Sequence, residues 1–214
     1  MRLYLSSFRL GDHPEELRAL AGDRGGRAAV IANAIDDTPG DVRRVGVLLE
    51  LTALAKLGFE PAELDLRDYF GEPERLRTDL AGVQLAWLRG GNVFLLRYAL
   101  RRSGGDDVLR ALLDEDALVY GGYSAGSCVL SPSLRGLEIV DDANAVQRLY
   151  GAPPVWAGLG LLDRAFVPHW RTPGHPETDG IELVVQRYRA EGIAFRALRD
   201  GQALVVSSGD TRVV

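Results

Sequence analysis

The chain has 214 residues, 46% of them hydrophobic and 26% charged, with a formal net charge of −5 and a single cysteine. Such a length supports one domain, residues 1–214, with a substantial core. The negative balance and the absence of a long basic run argue against phosphate backbones and anionic membranes as partners, so no nucleic acid and no membrane are expected.

The opening MRLYLSSFRLGDHPEEL breaks its apolar residues with Arg2, Arg9 and Asp12, so it lacks a signal-peptide core. No later stretch is apolar for long enough to span a bilayer, and Cys128 has no cysteine to pair with, which together give a cytoplasmic expectation. Short apolar runs at 2–7, 28–35, 62–66, 85–90, 117–122 and 165–169 read as strands. Between them lie helical patterns. One runs from near Asp41 to near Gly58, and another over 180–190 places Ile181, Val184, Val185 and Tyr188 on one face. Apolar strands alternating with helices imply a doubly wound α/β fold, a mainly parallel sheet with helices on both faces. Two apolar runs around Asp200-Gly201 predict an appended C-terminal β-hairpin, since Asp-Gly is a strong turn signal. There is no internal repeat, low-complexity tract or linker.

Ligands of open α/β sheets gather at the carboxyl ends of the strands. Three informative segments fall there: Gly90-Gly91-Asn92, Ser124 and His169. Residues 122–126, Gly-Tyr-Ser-Ala-Gly, fit the G-x-S-x-G nucleophile elbow, in which a tight strand-to-helix turn lifts the serine hydroxyl clear of the sheet. The competing reading makes Ser124 a simple helix cap. A serine nucleophile needs an adjacent base, and among His13, His169 and His175 only His169 ends a strand. His13 reads as a surface residue, and His175 sits in a loop without rigid support. The segment HWRTPGH spaces its imidazoles too widely for an H-E-x-x-H zinc arrangement, so no metal is assigned. Cys128, one turn past Ser124, reads as a small buried residue.

In their order along the chain, LRGGNVFLL (88–96), GGYSAGS (121–127) and FVPHW (166–170) resemble the aspartyl dipeptidase (dipeptidase E) and cyanophycinase family of serine peptidases. The opening RLYLSSFRLG is similar to that family's first strand and loop. The resemblance implies a fold related to class I glutamine amidotransferases, Ser124 as nucleophile and His169 as general base. It also implies an oxyanion hole built from the backbone N–H of Ala125 and of Gly91, or alternatively Gly90. Asn92 is expected to cap the following helix, with substrate contact as an alternative. For the third triad member, Asp200 is favoured over Glu138. The implied activity is hydrolysis of short peptides, foremost dipeptides with an N-terminal Asp. The alternatives are a cyanophycinase-like β-aspartyl peptidase and a carboxylesterase using the same elbow. A non-enzymatic Rossmann-like module is disfavoured because Ser6-Ser7-Phe8-Arg9 occupies the turn where G-x-G-x-x-G would lie. No cofactor is expected, the partner is a small peptide substrate, and the assembly is a monomer or homodimer. Arg171, two residues past His169, is the candidate for the substrate carboxylate, with Arg89 and His175 as substitutes.

Overall fold

A computed structural model of the chain describes residues 1–22, 26–207 and 209–214. The strands and helices follow in the order β1 (Arg2–Ser6), α1 (Pro14–Ala21), β2 (Arg27–Ile31), α2 (Gly40–Lys56), β3 (Glu60–Glu63), α3 (Pro73–Leu80), β4 (Leu85–Leu88), α4 (Val93–Ser103), α5 (Gly105–Asp114), β5 (Val119–Tyr123), α6 (Ala125–Cys128), α7 (Ala145–Tyr150), β6 (Ala165–Val167), α8 (Thr178–Ala190), β7 (Phe195–Ala197), β8 (Ala203–Ser207) and β9 (Asp210–Val213). Seven strands form the central sheet in the order β3-β2-β4-β5-β1-β8-β9. The first five in sequence run parallel, and β8 and β9 add antiparallel strands beyond β1.

Both faces are covered along β1, β2, β4 and β5, which is why these strands read as continuous apolar runs, whereas the edge strands β3 and β9 are largely exposed. Leu3, Leu5, Ala29, Ile31, Ala86, Leu88 and Tyr120 pack into one core with α3, α4, α5 and α8. The alternate positions Tyr4, Ala28, Val30, Leu85, Trp87, Val119 and Tyr123 pack into a second core with α1 and α2. The period of two along each strand sends successive side chains to opposite layers. Each fully buried large side chain contributes roughly 1.5–3 kcal/mol to that packing. On α8, the four residues of the anticipated buried face, Ile181, Val184, Val185 and Tyr188, are all buried.

Several strand limits differ from the sequence reading. The run 28–35 stops being a strand at Ile31. Asn33 there turns inward, accepts from the Leu66 N–H and donates to Asp36 and Asp65, so a 3-10 turn over Asn33–Ile35 replaces the strand end. The strand expected at 62–66 lies earlier, at Glu60–Glu63, because Asp65 caps a 3-10 turn at Leu66–Tyr69. The C-terminal hairpin exists, but it pairs β8 with β9. Asp200-Gly201 instead joins β7 to β8. Finally, β6 does not belong to the central sheet, and pairs in parallel with β7 in a small sheet of two strands.

Candidate active site

Strands β4, β5 and β1 are neighbours, and register pairs Leu88 with Gly122 and Ser6 with Tyr123. Their carboxyl ends therefore deliver Arg89-Gly90-Gly91, Ser124 and Ser7-Phe8-Arg9 to one edge. A cleft of about 150 Å³ opens there, and its lining includes Arg9, Arg89, Gly91, Ser124, His169 and Glu177. A broader cleft of about 560 Å³ shares Phe8 and Arg9 with it and runs along Leu49, Ala53 and the Asp200 loop. The cavity of about 390 Å³ between Leu161–Phe166 and β8 is lined by neither serine nor histidine.

Ser124 sits at φ 49°, ψ −117°, a positive-φ conformation outside the left-handed helical region that a serine adopts only where surrounding packing enforces it. The packing is severe: a Cβ on Gly126 would lie 2.1 Å from the Leu88 carbonyl oxygen, so α6 presses directly on β4 and only glycine fits. Ser127 completes the anchorage by donating to the carbonyls of Ser6 and Gly122. Although Ser124 occupies the N-cap position of α6, its side chain makes no capping hydrogen bond. On the opposite wall Gly91, at φ 141°, approaches the Ala34 carbonyl so closely that a Cβ would come within 2.5 Å of that oxygen. Asn92 caps α4, its side-chain oxygen accepting from the N–H groups of Phe94 and Leu95 and its amide donating to the Asp142 carbonyl. Ala125 is buried next to Ser124.

His169 lies two residues beyond β6, at φ 58°, and is 2% exposed. Its Nδ1 is 2.7 Å from Asp200 Oδ1. The pairing follows from the small sheet: Val167 is in register with Ala197, and Leu198 then exchanges backbone hydrogen bonds with Val167 and Trp170. The chain after β7 thus runs alongside the turn that carries His169. Ser7, which the sequence reading missed, binds both. Its hydroxyl donates to Asp200 Oδ1 at 2.8 Å and accepts the His169 backbone N–H at 2.8 Å. The Asp200 N–H is in turn taken by Thr172 Oγ1. Burial pushes the Asp200 carboxyl up, yet the hydrogen bonds from His169 and Ser7 outweigh it and hold the group below the ordinary aspartate range. The sequence signal was the pair Ser6-Ser7, two small hydroxyls ending a central strand.

Glu138 is engaged elsewhere. It pairs with Arg187 at 2.6 Å and accepts from the Gly136 N–H. Burial raises its pKa, but the local backbone hydrogen bonds and Arg187 hold it below the usual range. The structure therefore brings Ser124, His169 and Asp200 to one place and leaves Glu138 with α8. Arg171 is a second correction. Its left-handed backbone, φ 53°, turns the side chain over the Trp170 ring at 4.5 Å and toward Glu182, more than half exposed and outside the cleft lining. The guanidinium groups that line the cleft are those of Arg9 and Arg89. Arg89 Nε lies 3.4 Å from Glu50, an ion pair without hydrogen-bond geometry, and its Nη1 donates to the Gly90 carbonyl. Buried Glu50 also accepts from Trp87 Nε1 and the Tyr123 hydroxyl, tying α2 to β4 and β5.

His175 also departs from the expectation of an unsupported loop residue. The turn 170–175 folds back so that its ring stacks on His169 at 3.8 Å between centroids, 5° from parallel, with Phe8 edge-on to both. Burial, and then the adjacent His169, depress the His175 pKa below the ordinary imidazole value. Cys128 is buried, its thiol pushed well up by burial, and it donates to the Phe166 carbonyl. No helix among the described residues is long and apolar enough to cross a membrane.

The positive-φ turn at Ser124 and the Asp200-held imidazole of His169 thus meet at the carboxyl edge of a mainly parallel α/β sheet. Residues 17–214 match the model of peptidase family S51, and the chain belongs to that family. Over 121 residues it is 31% identical to the uncharacterized peptidase Lmo0363 of Listeria monocytogenes, covering 55% of this chain and 54% of the relative. Over 120 residues it is 29% identical to the uncharacterized peptidase Lin0382 of Listeria innocua, covering 55% and 53%. The chain thus spans about half the length of the curated relatives it matches. Among solved structures, a peptidase E candidate from Listeria monocytogenes superposes with a TM-score of 0.80 at 20% identity, covering 100% of this chain and 97% of that one. A peptidase from an acI-B1 Actinobacterium gives 0.69 at 18% identity, covering 100% and 86%. At these identities the structural likeness concerns the fold.

Proposed function

We propose that this member of peptidase family S51 is a serine peptidase that cleaves short peptides, foremost dipeptides with an N-terminal aspartate, through an acyl-enzyme on Ser124. The observation that carries the reading is the 2.7 Å contact between His169 Nδ1 and Asp200, with His169 and Ser124 lining one cleft. Asp200 accepts the Nδ1 proton, which fixes the tautomer that leaves a lone pair on Nε2. His169 then takes the Ser124 proton as the hydroxyl oxygen attacks the scissile carbonyl, and returns that proton to the leaving amine. Water, activated by the same imidazole, hydrolyses the ester and frees Ser124. Developing charge on the carbonyl oxygen falls to the N–H groups of Ala125 and Gly91, each worth roughly 3 kcal/mol in the transition state. Gly90 is the alternative donor.

Selection of an aspartate side chain requires a cation at the cleft. Arg9 and Arg89 both line it, and they take the role considered for Arg171. Asn92 serves the site indirectly by capping α4 behind Gly91.

The test is a panel of Asp-X, Glu-X, Asn-X and Ala-X dipeptides, a β-aspartyl-arginine dipeptide and a short-chain p-nitrophenyl ester, with wild type and Ser124→Ala side by side. The expected result is preferential Asp-X cleavage that disappears in the variant. Best turnover of the β-aspartyl peptide would transfer the specificity to isopeptide linkages, and ester turnover without peptide cleavage would refute the peptidase reading.

A further inference from the structure

We infer that His169, His175 and Glu177 form a site for a transition-metal ion of the zinc class, and that an ion bound there switches the proposed peptidase off. One ligand atom from each of the three residues lies within 4.8 Å of the other two. His169 Nε2 is 4.0 Å from a Glu177 carboxylate oxygen. Two imidazoles and one carboxylate, completed by water, make up the open tetrahedral donor set that suits Zn²⁺. Nitrogen donors favour Zn²⁺, Co²⁺ or Ni²⁺ over Mg²⁺ and Ca²⁺, which take oxygen ligands.

The surroundings are those of a metal-binding histidine. Asp200 holds Nδ1 of His169 at 2.7 Å, leaving Nε2 as the ligand atom with a carboxylate behind the ring. Tetrahedral zinc with bonds of about 2.0–2.1 Å places its ligand atoms about 3.3 Å apart, so the cluster must contract. His169 is buried and fixed, so His175 must rotate out of its parallel stack on that ring to turn a ring nitrogen toward the ion, and Glu177 must close in; both lie on the loop before α8 and are partly exposed. The Glu177 N–H donates to His175 Nδ1 at 3.2 Å, a long bond that metal coordination at that nitrogen replaces. Of the two nearby guanidinium groups, Arg89 is paired with buried Glu50 and Arg9 lies exposed against Phe8. Binding exchanges metal-bound water for protein ligands and changes no oxidation state. An ion on Nε2 occupies the lone pair that would accept the Ser124 proton; this consequence rests on the proposed serine mechanism, whereas binding itself does not.

Calorimetric titration of the whole chain with Zn²⁺ is expected to show saturable binding of one ion that Mg²⁺ does not reproduce. His175→Ala and Glu177→Gln should each weaken it by about tenfold or more, with unchanged circular dichroism, while His13→Ala at the exposed His13–Glu15 pair should leave it intact. In a parallel assay Zn²⁺ should suppress dipeptide hydrolysis, a chelator should restore it, and Glu177→Gln should shift the inhibitory concentration by the same factor as the affinity. No saturable Zn²⁺ binding, or binding indifferent to both loop variants, would overturn the site. Binding as expected on a chain that cleaves no peptide would uphold the site and count against the proposed function alone.

Discussion

Asp200 reaches His169 from the connection between the small two-stranded sheet and the central one, its Oδ1 2.7 Å from Nδ1 although the two residues are 31 positions apart. In the proposed mechanism this contact sets the imidazole tautomer, so Asp200→Asn is expected to lower kcat by three to four orders of magnitude, about the loss seen when a triad aspartate becomes asparagine. Glu138→Gln, which removes a partner of Arg187, should leave kcat within a few-fold. Steady-state kinetics on one Asp-X dipeptide measures both, and the opposite ranking would return the role to Glu138.

Ser7 binds both members of that pair. Ser7→Ala leaves the His169 N–H and one carboxylate oxygen without this partner, so it should cost about 1–3 kcal/mol in unfolding free energy. It should also lower kcat more than it changes KM, because its hydrogen bonds run to Asp200 and the His169 backbone. Urea denaturation with parallel kinetics checks the pair of effects; an unchanged kcat would confine Ser7 to a structural role.

Much of this arrangement is legible in the sequence because it depends on local backbone geometry. The strand-to-helix turn at Ser124 is legible since Gly126 fits against Leu88 without a side chain, and Asn92 reads correctly as a cap because capping is a matter of adjacent residues. Misreadings occur where a tertiary contact overrides a local signal. Asp200-Gly201 carries ordinary hairpin chemistry, but the antiparallel hairpin pairs β8 with β9 instead, and Asp200 is left to face His169. Arg171 is close to His169 in sequence, yet its left-handed backbone points it at Trp170. The stacking of His175 on His169 depends on how a proline- and glycine-containing loop closes, and no periodicity reports that.

The cleft arginines give a prediction about specificity. Arg9→Met should raise KM for Asp-X dipeptides by about 10- to 100-fold, as expected for losing a charge-assisted hydrogen bond, with little change for Ala-X. Arg171→Met, outside the cleft lining, should alter neither by more than about twofold. Equal losses for Asp-X and Ala-X in Arg9→Met would remove it from side-chain recognition.

Asp141 provides a pH-dependent test of stability. Burial raises its pKa to about 7, aided by Glu177 and Asp37 and opposed by the Val93 N–H at the start of α4. An acid whose folded pKa is raised stabilises the fold fully below its unfolded value near 4 and loses that contribution as the pH climbs to 7. Asp141→Asn keeps an acceptor for Val93 and does not ionise. Its stability relative to wild type should therefore grow by roughly 2–3 kcal/mol between pH 5 and pH 8. A pH-independent difference would show that Asp141 does not titrate in this range.

The most direct test of the serine mechanism is intact-mass and peptide-level analysis after treatment with a fluorophosphonate. An active triad should give one adduct per chain, located on Ser124, formed slowly or not at all in Asp200→Asn. Failure of the wild-type protein to label, or labelling at another residue with Ser124 untouched, would contradict the assignment of Ser124 as the nucleophile.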